Sequence, residues 1–254
     1  MSRQKENGIG WCDYTFNPWI GCTKVSPACD NCYAEVMAKR FFKDAKWGNH
    51  ARILTREENW NKPLTWNRKA EKEGKRYKVF CGSMCDVFDN HRSVIEPIAK
   101  LYGVIDDTSK NLDWILLTKR ISNVLNWQGF LYENMISRCY ALGITVCNHA
   151  EAERDIPKLL RVREEFSLPV KNLLLSIEPM LGAIDLSRWI DQLDWVIAGG
   201  ETGSSARPMH PDWARSIRDQ CQAANVPFFF KQWGKKKAGC LLDGQEWKQF
   251  PKTF

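Results

Sequence analysis

The amino-acid sequence predicts an α/β fold: a parallel (β/α) barrel, full or partial, TIM-barrel-like, with about six to seven β/α units. From residue 77 onward, short apolar runs alternate with helical patterns. Each run gives way to charged or hydrogen-bonding residues. No dinucleotide or P-loop glycine fingerprint is present, which counts against a doubly wound open sheet.

A first strand is expected near Thr15 to Ile20, followed by a helix from Tyr33. The apolar runs are "YKVFCGS" (77–83), "DWILLTK" (113–119), "YALGITVCN" (140–148), "VKNLLLSIEP" (170–179), "DWVIAGG" (194–200) and "VPFFFKQWG" (226–234). Strongly apolar stretches bounded by polar, Gly or Pro residues suit strands buried on both faces. Helices are expected at 93–102, 120–127, 151–163 and 211–224, the last opened by Pro211. This repetition implies right-handed crossovers. The polar stretch 43–76 reads as a loop-rich, Trp-containing insertion in a single domain spanning 1–254.

At 254 residues and 44% hydrophobic composition the chain can bury a core without cross-links, so its ten cysteines are not needed as staples. The start "MSRQKENGIGW" has no apolar run after its charges, and no stretch reaches membrane-spanning length. A soluble cytoplasmic chain with reduced thiols is expected, where clustered cysteines bind metal more often than they pair.

The net charge of +7 peaks at "KRFFKDAK", "NRKAEKEGKRYK" and Lys235 to Lys237, which admits nucleic acid as a partner. Of the twelve tryptophans, Trp47, Trp60 and Trp66 lie in basic surroundings. They either form a stacking platform for single strands or cover the insertion against the core, and the second reading is the one adopted.

The strand ends carry the chemistry: Gly82-Ser83 then Asp86, Thr118-Lys119-Arg120, Thr145 with Asn148, Ser176 with Glu178, Gly199-Gly200-Glu201, and Lys231-Gln232. In parallel α/β folds these ends share one face, where ligands bind. Taken singly, Lys119 and Arg120 could cap a strand, Glu178 could pair with either, and the glycines could form a tight turn. As a set they predict a binding ring. His50, His91, His149 and His210 show no hydrolase spacing.

"GCTKVSPACDNCYAE" places Cys22, Cys29 and Cys32 between the first strand and first helix, on that same face. A zinc site needs a fourth ligand, for which Cys12, His50, Cys81 and Cys85 are candidates. A [4Fe–4S] cluster can be held by three thiolates with one iron left open. Spacing alone leaves zinc and cluster level. Cys81 and Cys85 are either small buried residues or a second metal pair.

A cysteine triad after the first strand of a parallel barrel resembles the radical S-adenosylmethionine (SAM) superfamily. The first gap here is longer than usual, and Asn31 stands where an aromatic precedes the third cysteine. A closer resemblance spans most of the chain. "FNPWIGCTKVSPACDNCYAE", "VFCGSMCDVF", "LLTKR", "SIEPMLGAIDL", "DWVIAGGETGSSARPMHPDWARSIRDQC" and "VPFFFKQWG" look like the ordered blocks of an uncharacterised phage-associated family, regarded as divergent radical SAM relatives.

The resemblance implies Cys22, Cys29 and Cys32 as ligands of a [4Fe–4S] cluster that cleaves SAM, with a flavodoxin- or ferredoxin-type reductant and an unidentified substrate, nucleic acid or nucleotide among the candidates. Ser83 and Asp86 are then expected to receive the SAM ammonium group, and Lys119 or Arg120 its carboxylate. Asn148, Glu178 or Glu201 are expected at the ribose, with Gly199 and Gly200 against the cofactor and Lys231 in the same ring. The alternative is a zinc-binding or non-catalytic nucleic-acid-binding protein with a structural cysteine site.

Overall fold

The apolar runs become strands because each is rich in residues that suit a pleated, doubly covered surface. The computed structural model describes residues 9–252 except 43, 45–46, 127–128 and 235–238, so the charge peak at Lys235–Lys237 lies outside the described residues. In chain order the strands are β1 (Tyr14–Phe16), β2 (Trp19–Ile20), β3 (Ile53–Leu54), β4 (Tyr77–Cys81), β5 (Leu112–Thr118), β6 (Ala141–Thr145), β7 (Leu173–Ile177), β8 (Trp195–Gly199), β9 (Phe228–Gln232), β10 (Leu241–Leu242) and β11 (Gln245–Glu246). The helices are α1 (Tyr33–Phe41), α2 (Glu57–Trp60), α3 (Lys62–Glu73), α4 (Ile95–Thr108), α5 (Ile121–Asn126), α6 (Phe130–Arg138), α7 (His149–Glu165) and α8 (Pro211–Ala223).

Seven strands form one parallel sheet in the order β1-β4-β5-β6-β7-β8-β9. An order that never reverses sends every crossover to the same side, which separates this sheet from a doubly wound one. The sheet curls into a half-barrel and does not close, so the full barrel is not formed. Part of the reason lies at the β9 edge, where the chain's own tail occupies the ladder. Phe230 donates its N–H to the Trp247 carbonyl (2.9 Å), and Gln249 donates to that of Phe228 (3.1 Å).

Alternation along the strands divides the core. Leu112, Trp114 and Leu116 of β5 belong to the large cluster shared with the helices. Ile115, Phe80, Leu174, Trp195 and Phe229 form a second cluster with Trp11, Cys12 and Phe250 from the two ends of the chain. At Gly143 of β6 an added Cβ would stand 2.8 Å from Leu174, so only glycine fits that approach.

The first expected strand splits. Pro18 cannot donate to a ladder, and the Asn17 carbonyl is taken by Thr55 Oγ1 and Asn59 Nδ2 (both 2.9 Å). β1 therefore joins the main sheet while β2 pairs antiparallel with β3. The stretch expected as a loop-rich insertion holds two helices, and α3 packs with α4. Trp60 is buried edge-on to Phe16, and Trp66 stacks on Tyr14 at 4.4 Å. These two rings serve packing, not a stacking platform. α6, between 127 and 140, is a helix that the sequence pattern does not announce. No described helix is long and apolar enough to cross a membrane.

Candidate functional site

The cysteine segment takes its shape from short-range signals. Gly21, at φ +116°, turns the chain out of β2 and accepts a left-handed conformation at low cost. Ser26 caps a single helical turn, Pro27–Cys29, its Oγ accepting from the Ala28 N–H at 3.0 Å. Cys32 is the N-cap residue of α1, so this thiol sits where the helix dipole favours negative charge.

All three cysteines are free thiols, and all three line one cavity of about 680 Å³ at the carboxyl edge of the half-barrel. Burial pushes the Cys22 thiol up to about 11, against the opposing pull of the Arg120 guanidinium. An Arg120 Nη1 lies 3.5 Å from the sulfur. Strand ends supply the facing wall with Ser83, Asp86, Lys119, Arg120, Glu178 and Lys231. Gly200 and Glu201 line it as well, as do the buried hydroxyl residues Thr145 and Ser176.

Two expected members stand elsewhere. Asn148 caps α7, its Oδ1 accepting from the Glu151 N–H at 2.9 Å, and it does not line the cavity. Gly199 is also absent from the lining; an added Cβ there would meet Lys231 Cβ at 3.4 Å and Glu178 Cδ at 3.6 Å. The backbone that Gly200 lets approach is the protein's own: its Cβ would lie 2.2 Å from the Trp233 carbonyl oxygen.

The charges come as pairs. Asp86 accepts from Thr118 Oγ1 (2.8 Å), the N–H groups of Phe88 (3.0 Å) and Lys119 (3.1 Å), and Arg120 Nη1 (3.0 Å). Its oxygens are thereby committed to the protein. Glu178 Oε1 pairs with Lys231 Nζ at 2.6 Å, not with Lys119 or Arg120 as the sequence suggested. Glu201 pairs with Arg207. Burial works to raise the Glu201 carboxyl, but hydrogen bonds from Arg207 and Asn31 outweigh it and hold the group below its ordinary value. The Lys119 ammonium has no side-chain partner among the described residues, and it faces the cavity.

Three arginines fasten the cysteine segment. Arg120 Nη2 donates to the Thr23 carbonyl at 2.6 Å. The buried Arg52, paired with Asp89 at 2.7 Å, donates to Thr23 Oγ1 at 2.8 Å. Arg207 Nη2 donates to the Pro27 carbonyl at 2.9 Å, while Asn31 Nδ2 reaches Glu201 Oε2 at 2.9 Å. Sequence reasoning missed Arg52, Arg207 and Asn31. A lone arginine among small residues in "GGETGSSARP" was a signal for Arg207; Arg52, one cation in a basic stretch, gave none.

The donor set meets a metal's needs only in part. As the side chains stand, no group of three His, Cys, Asp or Glu among the described residues is disposed to hold an ion. Gathering the three thiols therefore takes a movement of the 22–32 segment. Of the candidate fourth ligands only Cys85 lines the same cavity. Cys12 lies in the concave cluster, Cys81 in the helix-facing one, and His50 is exposed on the surface. Burial raises both Cys81 and Cys85 well above the usual thiol range. Three thiols lining one open cavity fit a three-thiolate cluster in donor chemistry, and their placement would meet it only after that movement.

Trp11, 3% exposed, lines the cavity with part of its ring, and its buried indole N–H has no partner among the described residues. None of the four histidines lines the cavity.

A protein-family model described as a protein of unknown function matches residues 6–251. No curated protein and no solved structure matches the chain.

Proposed function

The chain belongs to the DUF5131 family of proteins of unknown function, so its chemistry has to be read from the cavity, and we propose that it is an iron–sulfur enzyme of radical SAM type. The observation that carries the reading is that Cys22, Cys29 and Cys32 all line one cavity among polar strand ends. The half-barrel is read as a partial (β/α) barrel of TIM type, working in the cytoplasm. Its substrate is unidentified.

Cys22, Cys29 and Cys32 would hold a [4Fe–4S] cluster with one position open for SAM. With one electron from a flavodoxin- or ferredoxin-type reductant, the cluster would supply reductive cleavage of the SAM sulfonium and so start radical chemistry on the substrate. The protein's part is orientation and exclusion of competing reactions.

Its own residues divide that work. The unpaired Lys119 ammonium is the group for a carboxylate. Ser83 Oγ, which accepts from Asn17 Nδ2 at 2.9 Å, keeps its proton for a ligand. Glu178 has Oε1 taken by Lys231 and Gln232, which leaves Oε2 for a hydroxyl donor. Asp86 and Glu201 act through Arg120 and Arg207: they position the cysteine segment and do not meet the ligand themselves. Burial raises the Cys22 thiol, which must release its proton when it ligates a metal, and Arg120 favours that thiolate.

Anaerobic reconstitution with iron and sulfide tests the cluster. Iron and sulfide bound in equal amounts, and lost in the Cys22→Ala/Cys29→Ala/Cys32→Ala variant, support the reading. Zinc bound in place of iron contradicts it and leaves a structural site.

A further inference from the structure

We propose that the outward face of α1, beside the cavity mouth, is a stacking platform for single-stranded nucleic acid, and that the strand delivers the reacting nucleotide into the cavity. The proposal names the substrate class for the site above, and it rests on that reading for the strand's destination only.

The argument begins with how α1 is seated. The helix packs through its two smallest residues: Ala34 and Ala38 are buried against Ile20 and Met84. Its large apolar side chains are left at the surface. Val36 is 64% exposed, Phe41 56% and Met37 43%, with Tyr33 at 46% and Phe42, just past the helix, at 43%. A soluble helix ordinarily buries such residues, and an apolar face left out in this way marks an interaction site.

The face is continuous with the site. Tyr33, Met37, Phe42 and Trp47 line the cavity, and Val36 and Phe41 are exposed on either side of Tyr33 and Met37. Tyr33 is fixed at the mouth by a 2.7 Å hydrogen bond from its hydroxyl to the Ser83 carbonyl. Whatever lies on the strip therefore leads into the cavity.

Charge selects the occupant. Lys39 and Arg40 flank the strip, and the Arg40 guanidinium sits 5.1 Å from the centre of the Phe41 ring. Glu35, the single acid of α1, is already held by Lys39 at 2.8 Å and Lys24 at 3.2 Å. The cavity beyond presents the free Lys119. Exposed aromatic rings next to Lys39 and Arg40, in a chain of net charge +7, match a ligand of flat bases on an anionic backbone. A bilayer would satisfy the strip but would cover the mouth and place nothing in the cavity.

The test uses the apo protein and a fluorescently labelled mixed-sequence single strand of about 12 nucleotides, followed by anisotropy across a salt series. Binding is expected to weaken steeply with salt. Phe41→Ala/Phe42→Ala should loosen it about tenfold or more, because the bases lose their stacking partners. Lys39→Glu/Arg40→Glu should lower the slope of log K against log salt by about 0.7 for each phosphate left without its cation.

Absence of salt-dependent binding, or affinity unchanged in both variants, overturns the proposal. So does retention on phosphatidylserine vesicles, or a dimer broken by Phe41→Ala, when the oligonucleotide does not bind. SAM cleavage with no strand binding removes this inference alone, and strand binding with no SAM cleavage removes the radical SAM reading alone.

Discussion

Arg207 holds Glu201 across its whole fork: Nε meets Oε2 at 2.9 Å and Nη2 meets Oε1 at 2.5 Å. The same guanidinium reaches Asp30 Oδ2 at 3.2 Å and the Pro27 carbonyl at 2.9 Å, so one side chain ties the loop after β8 to the segment carrying Cys29 and Cys32. Arg207→Ala should lower iron uptake on reconstitution by about tenfold or more, in line with groups that orient metal ligands. Arg207→Lys should recover only part, since an ammonium cannot span the fork. Full iron content in Arg207→Ala, with the fold intact by circular dichroism, would contradict this role.

The same pair sets an acid limit. The folded-state value of Glu201 is depressed, so its stabilisation is fully present above the ordinary carboxylate range and is lost as pH falls through the lowered value. Urea midpoints of the native chain should therefore drop more steeply below about pH 4.3 than those of Glu201→Gln. Parallel pH profiles would show that the pair adds nothing.

Asp86 and Arg120 are a buried pair, with side chains only 7% and 8% exposed. Asp86→Leu or Arg120→Leu alone leaves an uncompensated charge and should cost about 3–5 kcal/mol by urea denaturation. The double variant Asp86→Leu/Arg120→Leu should cost less than the sum of the two. Strict additivity would argue against direct coupling.

Two glycines predict opposite signs. Gly200→Ala drives a Cβ into the Trp233 carbonyl, a backbone atom with no room to yield, and should lower stability by about 1–3 kcal/mol or more. Gly103, exposed within α4, has nothing within 4 Å of an added Cβ, and Gly103→Ala should stabilise by about 0.5–1 kcal/mol. Thermal melts of both variants check the pair, and equal shifts would refute the close approach at Gly200.

Lys119 and Glu178 carry the ligand-binding assignments. Lys119→Ala and Glu178→Gln should each weaken SAM binding by about tenfold, roughly the worth of a charge-assisted hydrogen bond. Calorimetry on the reconstituted protein measures it. Unchanged affinity in both variants removes these assignments.

The six strands β4 to β9 were legible because each is a mostly apolar run that ends on polar groups that cannot be buried unpaired. The split of the first strand was legible only in part: Pro18 was a visible obstacle, but the β2–β3 pairing is non-local. α3 was hidden because its exposed face is so basic that the stretch reads as loop. At the site, position was legible and partnership was not. Glu201 and Asp86 read as ligand groups from their place at strand ends, yet their partners Arg207 and Arg120 turn them inward. Asn148 ends a strand and starts a helix, and capping took it. Arg52 contributes through Thr23, Asp89 and two backbone carbonyls, partners that sequence spacing does not reveal.

The central claim is that the three cysteines arm the cavity for SAM cleavage. The most direct measurement is 5′-deoxyadenosine released from SAM by the anaerobically reconstituted protein after addition of a strong reductant, set beside Cys22→Ala, Cys29→Ala and Cys32→Ala treated identically. The account predicts 5′-deoxyadenosine and methionine in equal amounts from the native chain and none above background from each variant. A native chain that takes up iron and sulfide and binds SAM yet releases no 5′-deoxyadenosine, or a variant that releases as much as the native chain, would contradict it.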